Sequence, residues 1–308
     1  MALAGKRGLV VGVVNQRSIA WAVARQWRAA GCDVAVTYQD ERARPHVEKL
    51  VAREWGDEAA AGLLRCDVRR DDELAAVATV LGRRFEGRLD ALLHGAAFAP
   101  PEAFAAGSLL HTPRDAWQTT LDVSAYSLLA LTRELHPLLR AADEGVAGGA
   151  APHGGPAVTT LSYLGARRVV PNYLAMGPAK AALEAAARGL AAELGPDGIR
   201  VNIIRYTPHR PTPLPRPRPR PRQLSRLTGG SPFMFVFVCS PGPVRTVAAR
   251  SIPGFNQMAQ SAAELSPLRR NVTADDVAGL ATFLASDAGA AITGQTLHVD
   301  AGHSVVAG

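Results

Sequence analysis

Residues 159–184 read TTLSYLGARRVVPNYLAMGPAKAALE, which joins the end of a β-branched apolar run to the start of an alanine-rich one. This order predicts a strand followed by a helix, which we place at 172–194. The stretch contains Tyr163, Tyr173 and Lys180. Tyr173 and Lys180 are seven residues apart, close to two turns at about 3.6 residues per turn, so both side chains would project from one helix face.

A phenol and an ammonium that share a pocket can carry out acid–base chemistry. Positive charge nearby favours the phenolate form of a tyrosine, and an ammonium can also hold a diol. Tyr173 and Lys180 are therefore a candidate proton donor and cofactor clamp. The alternative is a surface tyrosine and a surface lysine on an amphipathic helix, because a short motif is weak evidence on its own.

Outward from this stretch, the chain alternates short apolar runs with longer helical ones. The predicted strands are RGLVVGV (7–13), DVAVTY (33–38), a short run ending at Cys66, LDALLHGAA (89–97), AVTTLS (157–162), IRVNII (199–204) and QTLHVD (295–300). The predicted helices are 18–30, 41–55, 71–85, 114–140, 172–194 and 273–285. Apolar strands separated by long helices indicate a parallel sheet that is covered on both faces. The expected fold class is α/β, a doubly wound Rossmann-type sheet in a single domain, 1–308.

Composition excludes several classes of protein. The 308 residues are 47% hydrophobic and 20% charged, which is ordinary for a globular protein. Cys32, Cys66 and Cys239 form no CxxC pair, so neither a disulfide framework nor a metal site is expected. No run is apolar enough for a membrane span, and Lys6 and Arg7 lead straight into a strand. We expect a cytoplasmic protein, although a plastid enzyme without its transit peptide would look the same.

The net charge of +7 is concentrated in one segment. Residues 205–239 contain seven arginines and no lysine, aspartate or glutamate. Of the 34 basic residues, 27 therefore lie elsewhere, against 27 acidic ones. The rest of the chain is neutral, so no nucleic-acid partner is expected.

The same segment, 205–239, interrupts the alternation of strands and helices. It contains eight prolines, with RPRPRPR at 216–222 and FMFVFVC at 233–239. Alternating prolines cannot donate a regular hydrogen-bond ladder and favour polyproline II. Three interpretations compete: a translated intron, a genuine exposed loop, and a proline-rich docking site for another protein. The composition favours the intron, because compact domains rarely contain long structureless insertions.

Ligands of such a sheet bind beyond the carboxyl ends of its strands. Gly12 follows the first strand, and Ser18 caps the next helix, whose free N–H groups can bind a pyrophosphate. Gln39 and Asp40 follow the second strand, where the lack of a cation suits a ribose with a free 2′-hydroxyl. Asp67 follows the third strand and could accept a hydrogen bond from an adenine amino group or cap a helix. These positions predict a dinucleotide without a 2′-phosphate.

Several motifs together resemble one family. They are GKRGLVVGVVNQRSIAWAVA (5–24), VTYQDE (36–41), CDV (66–68), HGAAFAP (94–100), SYLGARRVVPNYLAMGPAKAALEA (162–185), GPVRTVAA (242–249) and ITGQTLHVDAG (292–302). The chain resembles the enoyl-acyl carrier protein reductases of type II fatty acid synthesis, which are divergent short-chain dehydrogenases/reductases. The resemblance covers all of the chain except 205–239. The wider superfamily spaces its tyrosine and lysine four residues apart, whereas a spacing of seven is typical of enoyl reductases.

This resemblance implies reduction of a trans-2-enoyl thioester on acyl carrier protein by NADH, in a homotetramer. Tyr173 would stabilise the enolate oxygen, Lys180 would hold the nicotinamide ribose, and Tyr163 would border the proton path unless it is a packing residue. The implied cofactor-binding residues are Gly12, Ser18, Ile19, Gln39, Asp67, Val68, Ala97, Lys180, Val244 and Thr246. The implied substrate-binding residues are Phe98, Ala99, Tyr163, Tyr173, Met176, Phe255 and Met258.

Two departures from the family pattern stand out. Pro178 lies between Tyr173 and Lys180, where it predicts a modest kink in the helix. Residues 205–239 separate IRVNII from SPGPVRT (240–246), whereas the family joins these segments directly, as if Ile204 preceded Ser240. Two alternatives to an active enoyl reductase therefore stay open. One is a short-chain dehydrogenase that acts on a carbonyl, and the other is an inactive scaffold whose Arg-Pro run binds a partner.

Overall fold

The computed structural model describes residues 1–105, 107–144, 154–170, 172–206 and 266–306. Most of the predicted insertion, 207–239, lies outside the described residues. The predicted site residues that also lie outside them are Val244, Thr246, Phe255 and Met258.

Seven parallel strands form one sheet in the described part of the chain. They are β1 (Arg7–Val11), β2 (Asp33–Tyr38), β3 (Leu64–Arg65), β4 (Ala91–His94), β5 (Ala157–Tyr163), β6 (Arg200–Tyr206) and β7 (Thr296–Val299). Their order across the sheet is β3-β2-β1-β4-β5-β6-β7, and each neighbouring pair is parallel. Chain order reverses between β1 and β4, which is the point where a doubly wound sheet opens a crevice. The predicted α/β fold is confirmed.

Helices cover both faces of this sheet. They are α1 (Ile19–Ala29), α2 (Arg44–Trp55), α3 (Asp57–Ala61), α4 (Asp71–Arg84), α5 (Glu102–Ala105), α6 (Arg114–Leu121), α7 (Ser127–Glu144), α8 (Met176–Leu194) and α9 (Ala274–Ala285). Leu9 and Val10, neighbours in β1, belong to different apolar clusters, because successive side chains of a strand point to opposite faces. Among these helices, none combines the length and apolar character needed to cross a membrane.

The helix predicted at 114–140 is interrupted. Residues Asp122–Tyr126 form a π-helical segment between α6 and α7. Ser124 in this segment hydrogen-bonds the backbone of Phe98 on a neighbouring loop, accepting from its N–H and donating to its carbonyl, each at 2.9 Å. A π-helical turn is a local widening of the helix that often marks a functional site. Here it brings the Ser124 hydroxyl to the loop after β4.

The helix predicted at 172–194 begins later, at Met176. Asn172 and Leu174 have φ angles of 64° and 38°, which are outside the helical region, so Tyr173 precedes the helix. Pro178 then falls in the first turn of α8, where backbone N–H groups have no helical partner in any case. Pro178 therefore removes no hydrogen bond within α8, and the reason for predicting a kink there no longer applies.

The strand predicted at 199–204 continues further than expected. Arg205 pairs with Ser162 of β5 and His298 of β7, and Tyr206 follows in the same register. Both side chains are buried. Two residues that we predicted to open an irregular insertion are therefore regular strand, because each has neighbours on both sides of the sheet.

Candidate active site

An open cleft of about 490 Å³ lies at the carboxyl ends of β1, β2, β3 and β4. Its lining includes a set of residues predicted to bind cofactor or substrate, namely Gly12, Gln39, Asp67, Val68, Ala97 and Phe98. The sheet brings them together because each follows a parallel strand, and parallel strands end at one edge.

The cleft depends on a close approach of two backbone segments. Gly12 has a φ of 101°, and a Cβ on it would lie 2.6 Å from the carbonyl carbon of Gly95. A Cβ on Gly95 would in turn lie 2.7 Å from the Val11 carbonyl oxygen. No side chain fits at either position, so both residues must be glycine. Gly95 is a site residue that our sequence analysis missed, although a glycine directly after a strand is a usable signal.

Ser18 stands at the N-cap position of α1, but its side chain does not cap the helix. Its hydroxyl accepts hydrogen bonds from the N–H groups of Val14 and Asn15, and donates to the Asn15 carbonyl at 2.7 Å. The predicted side-chain cap is therefore wrong, because the hydroxyl shapes the loop after β1 instead. The first turn of α1 thus keeps its N–H groups free of a side-chain cap, as an anion site requires. Ile19 is fully buried.

The far end of the cleft carries a carboxylate that is held by an arginine. Arg69 binds Asp67 through its Nε at 2.9 Å and through a second contact from Nη2. Burial raises the pKa of Asp67, but the hydrogen bonds from Arg69 outweigh it and keep this pKa below its ordinary value. The N-cap of α4 is Arg70, so the alternative role of Asp67 as a helix cap is wrong. Our sequence analysis did not single out Arg69.

The turn after β2 is organised by Asp40. Its Oδ1 accepts hydrogen bonds from the N–H groups of Arg42 and Ala43, at 3.0 and 2.9 Å. This turn delays the start of α2 to Arg44, later than predicted. Gln39 lines the cleft, whereas the Asp40 carboxylate serves the backbone of its own turn.

Tyr163 and Tyr173 form an aromatic pair at the carboxyl end of β5. Their ring centroids are 4.5 Å apart at an interplanar angle of 60°, a tilted geometry that aromatic pairs favour. Tyr163 ends β5 and is buried, whereas Tyr173 is half-buried. Burial raises the pKa of Tyr163 far above its ordinary value, so this phenol stays neutral at physiological pH.

Gly165 makes room for the Tyr173 ring. A Cβ on Gly165 would overlap Tyr173 Cδ1 and lie 2.6 Å from its Cε1. The Gly165 carbonyl oxygen also lies 3.1 Å from where a Cβ on Gly177 would sit. The start of α8 and the turn before it thus pack onto the segment after β5 at Gly165 and Gly177. Our sequence analysis missed both residues, because nothing in the sequence shows that these segments touch.

Lys180 is completely buried, and its Nζ donates a hydrogen bond to the Leu161 carbonyl at 2.9 Å. Tyr173 precedes α8 and Lys180 lies within it, so the predicted sharing of one helix face is wrong. Strand β5 brings Tyr173 and Lys180 to the same region. Tyr173 packs on Tyr163, and Lys180 binds the carbonyl of Leu161, which is two positions before Tyr163 in the same strand.

The predicted substrate residues Phe98, Ala99 and Met176 are all buried. Ser124 connects two of them, since its hydroxyl lies 3.6 Å from the Met176 sulfur and hydrogen-bonds the Phe98 backbone. Phe98 also lines the cleft next to Val123. The loop after β4, the π-helical segment and the start of α8 therefore meet at one apolar wall.

His94 is a further buried group that the sequence analysis did not select. At the end of β4, its Nδ1 lies 2.9 Å from Thr160 Oγ1 and its Nε2 lies 2.9 Å from Ser127 Oγ. Burial and the positive charge of Lys180 lower its pKa to about 3. A neutral imidazole is therefore buried near Lys180. Among the described residues, no group of three His, Cys, Asp or Glu residues could hold a metal ion.

Sequence comparison places these features in a family. The model of the family described as Enoyl-(Acyl carrier protein) reductase matches residues 12–222 and 229–304. The NADH-dependent enoyl-[acyl-carrier-protein] reductase FabI of Neisseria meningitidis is 37% identical over 303 residues, covering 98% of this chain and 96% of that protein. The FabI protein of Aquifex aeolicus is 36% identical, covering 99% of this chain and 93% of its own length.

Solved structures agree with the sequence comparison. The Aquifex aeolicus enzyme superposes with a TM-score of 0.77 at 33% identity, covering 100% of both chains. The Bacillus cereus enzyme, solved with NADP⁺ and an indole naphthyridinone, gives a TM-score of 0.79 at 34% identity, covering 99% of both chains. The Anaplasma phagocytophilum enzyme, solved with NAD, gives 0.77 at 33% identity, covering 100% of this chain and 97% of its own. The chain belongs to the enoyl-(acyl carrier protein) reductase family.

Proposed function

We propose that this chain reduces trans-2-enoyl groups, carried as thioesters on acyl carrier protein, to saturated acyl groups with NADH. The observation that carries the proposal is the pairing of Tyr163 and Tyr173 at 4.5 Å, with Lys180 tied to the same strand by its bond to Leu161. Reduction of an enoyl thioester needs a donor to the thioester oxygen and a positive charge nearby, and this arrangement supplies both.

Tyr173 is the group that we assign to the thioester oxygen. Its phenol donates a hydrogen bond that strengthens as the oxygen gains negative charge, which favours the transition state over the substrate. Tyr163 borders the substrate as a neutral phenol, because burial raises its pKa. It can therefore donate a hydrogen bond but does not act as a base at neutral pH. Protonation of the α-carbon completes the reaction.

The residues of the cleft fit a dinucleotide. Gly12 allows the backbone to approach a pyrophosphate, and the start of α1 with Ser18 and Ile19 offers N–H groups to it. Gln39, Asp67 and Val68 suit the adenosine end, and Ala97, Lys180, Val244 and Thr246 complete the proposed cofactor site. NADH, when bound, supplies the hydride that adds to the β-carbon. Lys180 is the residue that we assign to the nicotinamide ribose hydroxyls.

The acyl chain is assigned to the wall made by Phe98, Ala99 and Met176, and the family resemblance adds Phe255 and Met258. The burial of Phe98, Ala99 and Met176 supports this assignment, because an apolar chain binds best against buried apolar side chains. We further propose a homotetramer in the cytoplasm. Tyr126, which ends the π-helical segment, and Leu129, in the first turn of α7, are 46% and 36% exposed, and a subunit contact would cover them.

The proposal is tested by turnover of crotonyl thioester with NADH, compared with simple ketones and alcohols under the same conditions. We expect reduction of the enoyl thioester and no turnover of the carbonyl substrates. The opposite pattern would make the chain a carbonyl-acting dehydrogenase. A chain that does not bind NADH in a titration would be a scaffold rather than an enzyme.

A further inference from the structure

A buried ion pair joins α8 to β6. Glu184 and Arg205 are 2% and 5% exposed. Arg205 donates from Nε to Glu184 Oε1 at 2.8 Å and from Nη2 to Oε2. The hydroxyl of Ser162 donates to the same Oε1 at 2.6 Å. One carboxylate is thus held by three donors in a site closed to solvent.

This carboxylate lies one helical turn after Lys180. Lys180 binds the carbonyl of Leu161, and Glu184 binds the hydroxyl of the next residue, Ser162. Two successive turns of α8 are therefore attached to two successive residues of β5. The residue that follows them is Tyr163, so the position of this phenol depends on both attachments.

Arg205 also reaches the opposite neighbour of β6. Its Nη1 lies 3.2 Å from His298 Nε2 in β7, and His298 Nδ1 lies 3.7 Å from the carboxylate of Asp300. A second arginine near Glu184, Arg167, stands 3.9 Å away with a side chain that is 65% exposed. Arg205 is thus the buried counter-charge of Glu184, and it spans three elements of the fold.

We propose that Arg205 is a positioning residue for Tyr163 and Lys180, and that it acts through Glu184; this inference rests on the proposed function. Without Arg205, the Glu184 carboxylate would be buried with one hydroxyl donor, which is an unfavourable state for a charge. The charged group would move toward the exposed Arg167, and this movement would draw its oxygens away from the Ser162 hydroxyl. A displacement of about 1 Å at a reacting group can reduce the rate by about 100-fold.

Four variants test the proposal: Arg205→Met, Arg205→Lys, the double variant Glu184→Gln/Arg205→Met, and Arg200→Met as the matched control. Arg200 lies in the same strand, is also 5% exposed, and its side chain binds the carbonyls of Gly155, Leu284 and Gly289. The measurements are kcat and KM with crotonyl thioester and NADH, corrected for the folded fraction.

We expect Arg205→Met to lower kcat at least about tenfold, since a positioning error acts on the chemical step. The double variant removes the unpaired charge but keeps an acceptor for Ser162, so it should return to within about threefold of the unaltered chain. The kcat of Arg205→Lys should lie between those of Arg205→Met and the double variant. Arg200→Met should lower the melting temperature and leave kcat unchanged. Unchanged kcat in Arg205→Met, or a double variant no faster than Arg205→Met, would overturn the proposal.

Amide hydrogen exchange gives a readout that does not depend on turnover. Arg205→Met should increase exchange in 157–163 and 176–184, and Arg200→Met should not. If the unaltered chain fails to reduce the enoyl thioester, the proposed function fails, and the exchange comparison alone decides the role of Arg205. If Arg205→Met does not fold, Arg205→Lys and the double variant provide the same comparison, and equal exchange in all folded variants would overturn the role.

Discussion

The ring centroids of Tyr163 and Tyr173 lie 4.5 Å apart. Tyr163 ends a strand, whereas Tyr173 precedes a helix and has a residue of positive φ on each side. A backbone held in this unusual conformation needs surrounding structure to maintain it. The contact between the two rings and the space left by Gly165 provide that support. Tyr173 is therefore fixed by tertiary packing rather than by the helix.

Replacing Tyr173 with phenylalanine should lower kcat for crotonyl thioester by about 100-fold or more, because one donor to the developing oxyanion is lost. NADH binding should be nearly unchanged, since the ring and its packing remain. Tyr126→Phe is the matched control, because Tyr126 is 46% exposed at the end of the π-helical segment. Equal turnover in Tyr173→Phe and the unaltered chain would exclude Tyr173 as the main oxyanion donor.

Gly165→Ala should lower kcat while the chain still binds NADH. The added methyl group would overlap the Tyr173 ring, so the ring must leave its present position against Tyr163. Gly189→Ala in α8 is the control, because a Cβ there meets nothing within 4 Å and should stabilise the helix by up to about 1 kcal/mol. Steady-state kinetics and a cofactor titration on both variants check this prediction. A Gly165→Ala chain with full activity would show that the ring position is not critical.

The conformation around Tyr173 illustrates what the sequence could not predict. The strand DVAVTY was predicted at 33–38 and found there, because a continuous apolar run needs no knowledge of distant contacts. The start of α8 was misplaced, because it depends on how Tyr173 packs over Gly165. Helix propensity carries no information about that contact, which joins segments on either side of a loop.

Arg205 shows a second limit of sequence reasoning. The composition of 205–239 groups this arginine with six others, and nothing local separates it from them. Only the fold shows that a buried carboxylate, Glu184, lies opposite the sixth strand. Partner charges that are distant in sequence are invisible to composition, whereas the cleft residues after strands β1 to β4 could be located because strand ends share one edge.

The chain should use NADH faster than NADPH. Gln39 lines the cleft without a cation at 39 or 40, and the 2′-phosphate of NADPH would need one. The nearby Arg69 is already bound to Asp67. Initial rates with the two cofactors at equal concentration decide the matter. Faster turnover with NADPH would mean that Arg42 or Arg69 reaches the phosphate, and loss of that preference in Arg42→Ala or Arg69→Ala would identify which one does.

The free energy of unfolding should decrease as the pH is lowered, partly because of His94. The pKa of His94 is lowered from 6.5 to about 3 in the folded chain, so below pH 6.5 the unfolded chain binds a proton that the folded chain does not. The free energy of unfolding therefore decreases as pH falls from 6.5 toward 3, by up to about 1.4 kcal/mol per pH unit. His94→Gln should remove this part of the slope in denaturant titrations, whereas the exposed His111→Gln should retain it. Equal slopes in both variants would contradict the prediction.

Removing the part of the proline- and arginine-rich segment that follows Tyr206 should make the chain more soluble and more active. FMFVFVC has the composition of a β-aggregating segment, and the sequence resemblance implies that the segment separates two parts that the family joins. A loop of this length costs the fold only a few kcal/mol in closure entropy, so we expect the fold to tolerate it. The loss should fall on the site, where positioning errors of about 1 Å are costly.

Two deletions distinguish the segment's contribution from that of the strand. One joins Ile204 to Ser240, and the other joins Tyr206 to Ser240 and keeps Arg205 opposite Glu184. Both should remain in solution at higher concentrations than the full chain, measured by sedimentation and light scattering. The second should turn over crotonyl thioester faster than the first, because Glu184 keeps its buried partner. If the full chain equals both deletions in solubility and rate, the segment is a tolerated natural loop, and its interpretation as a translated intron loses its physical support.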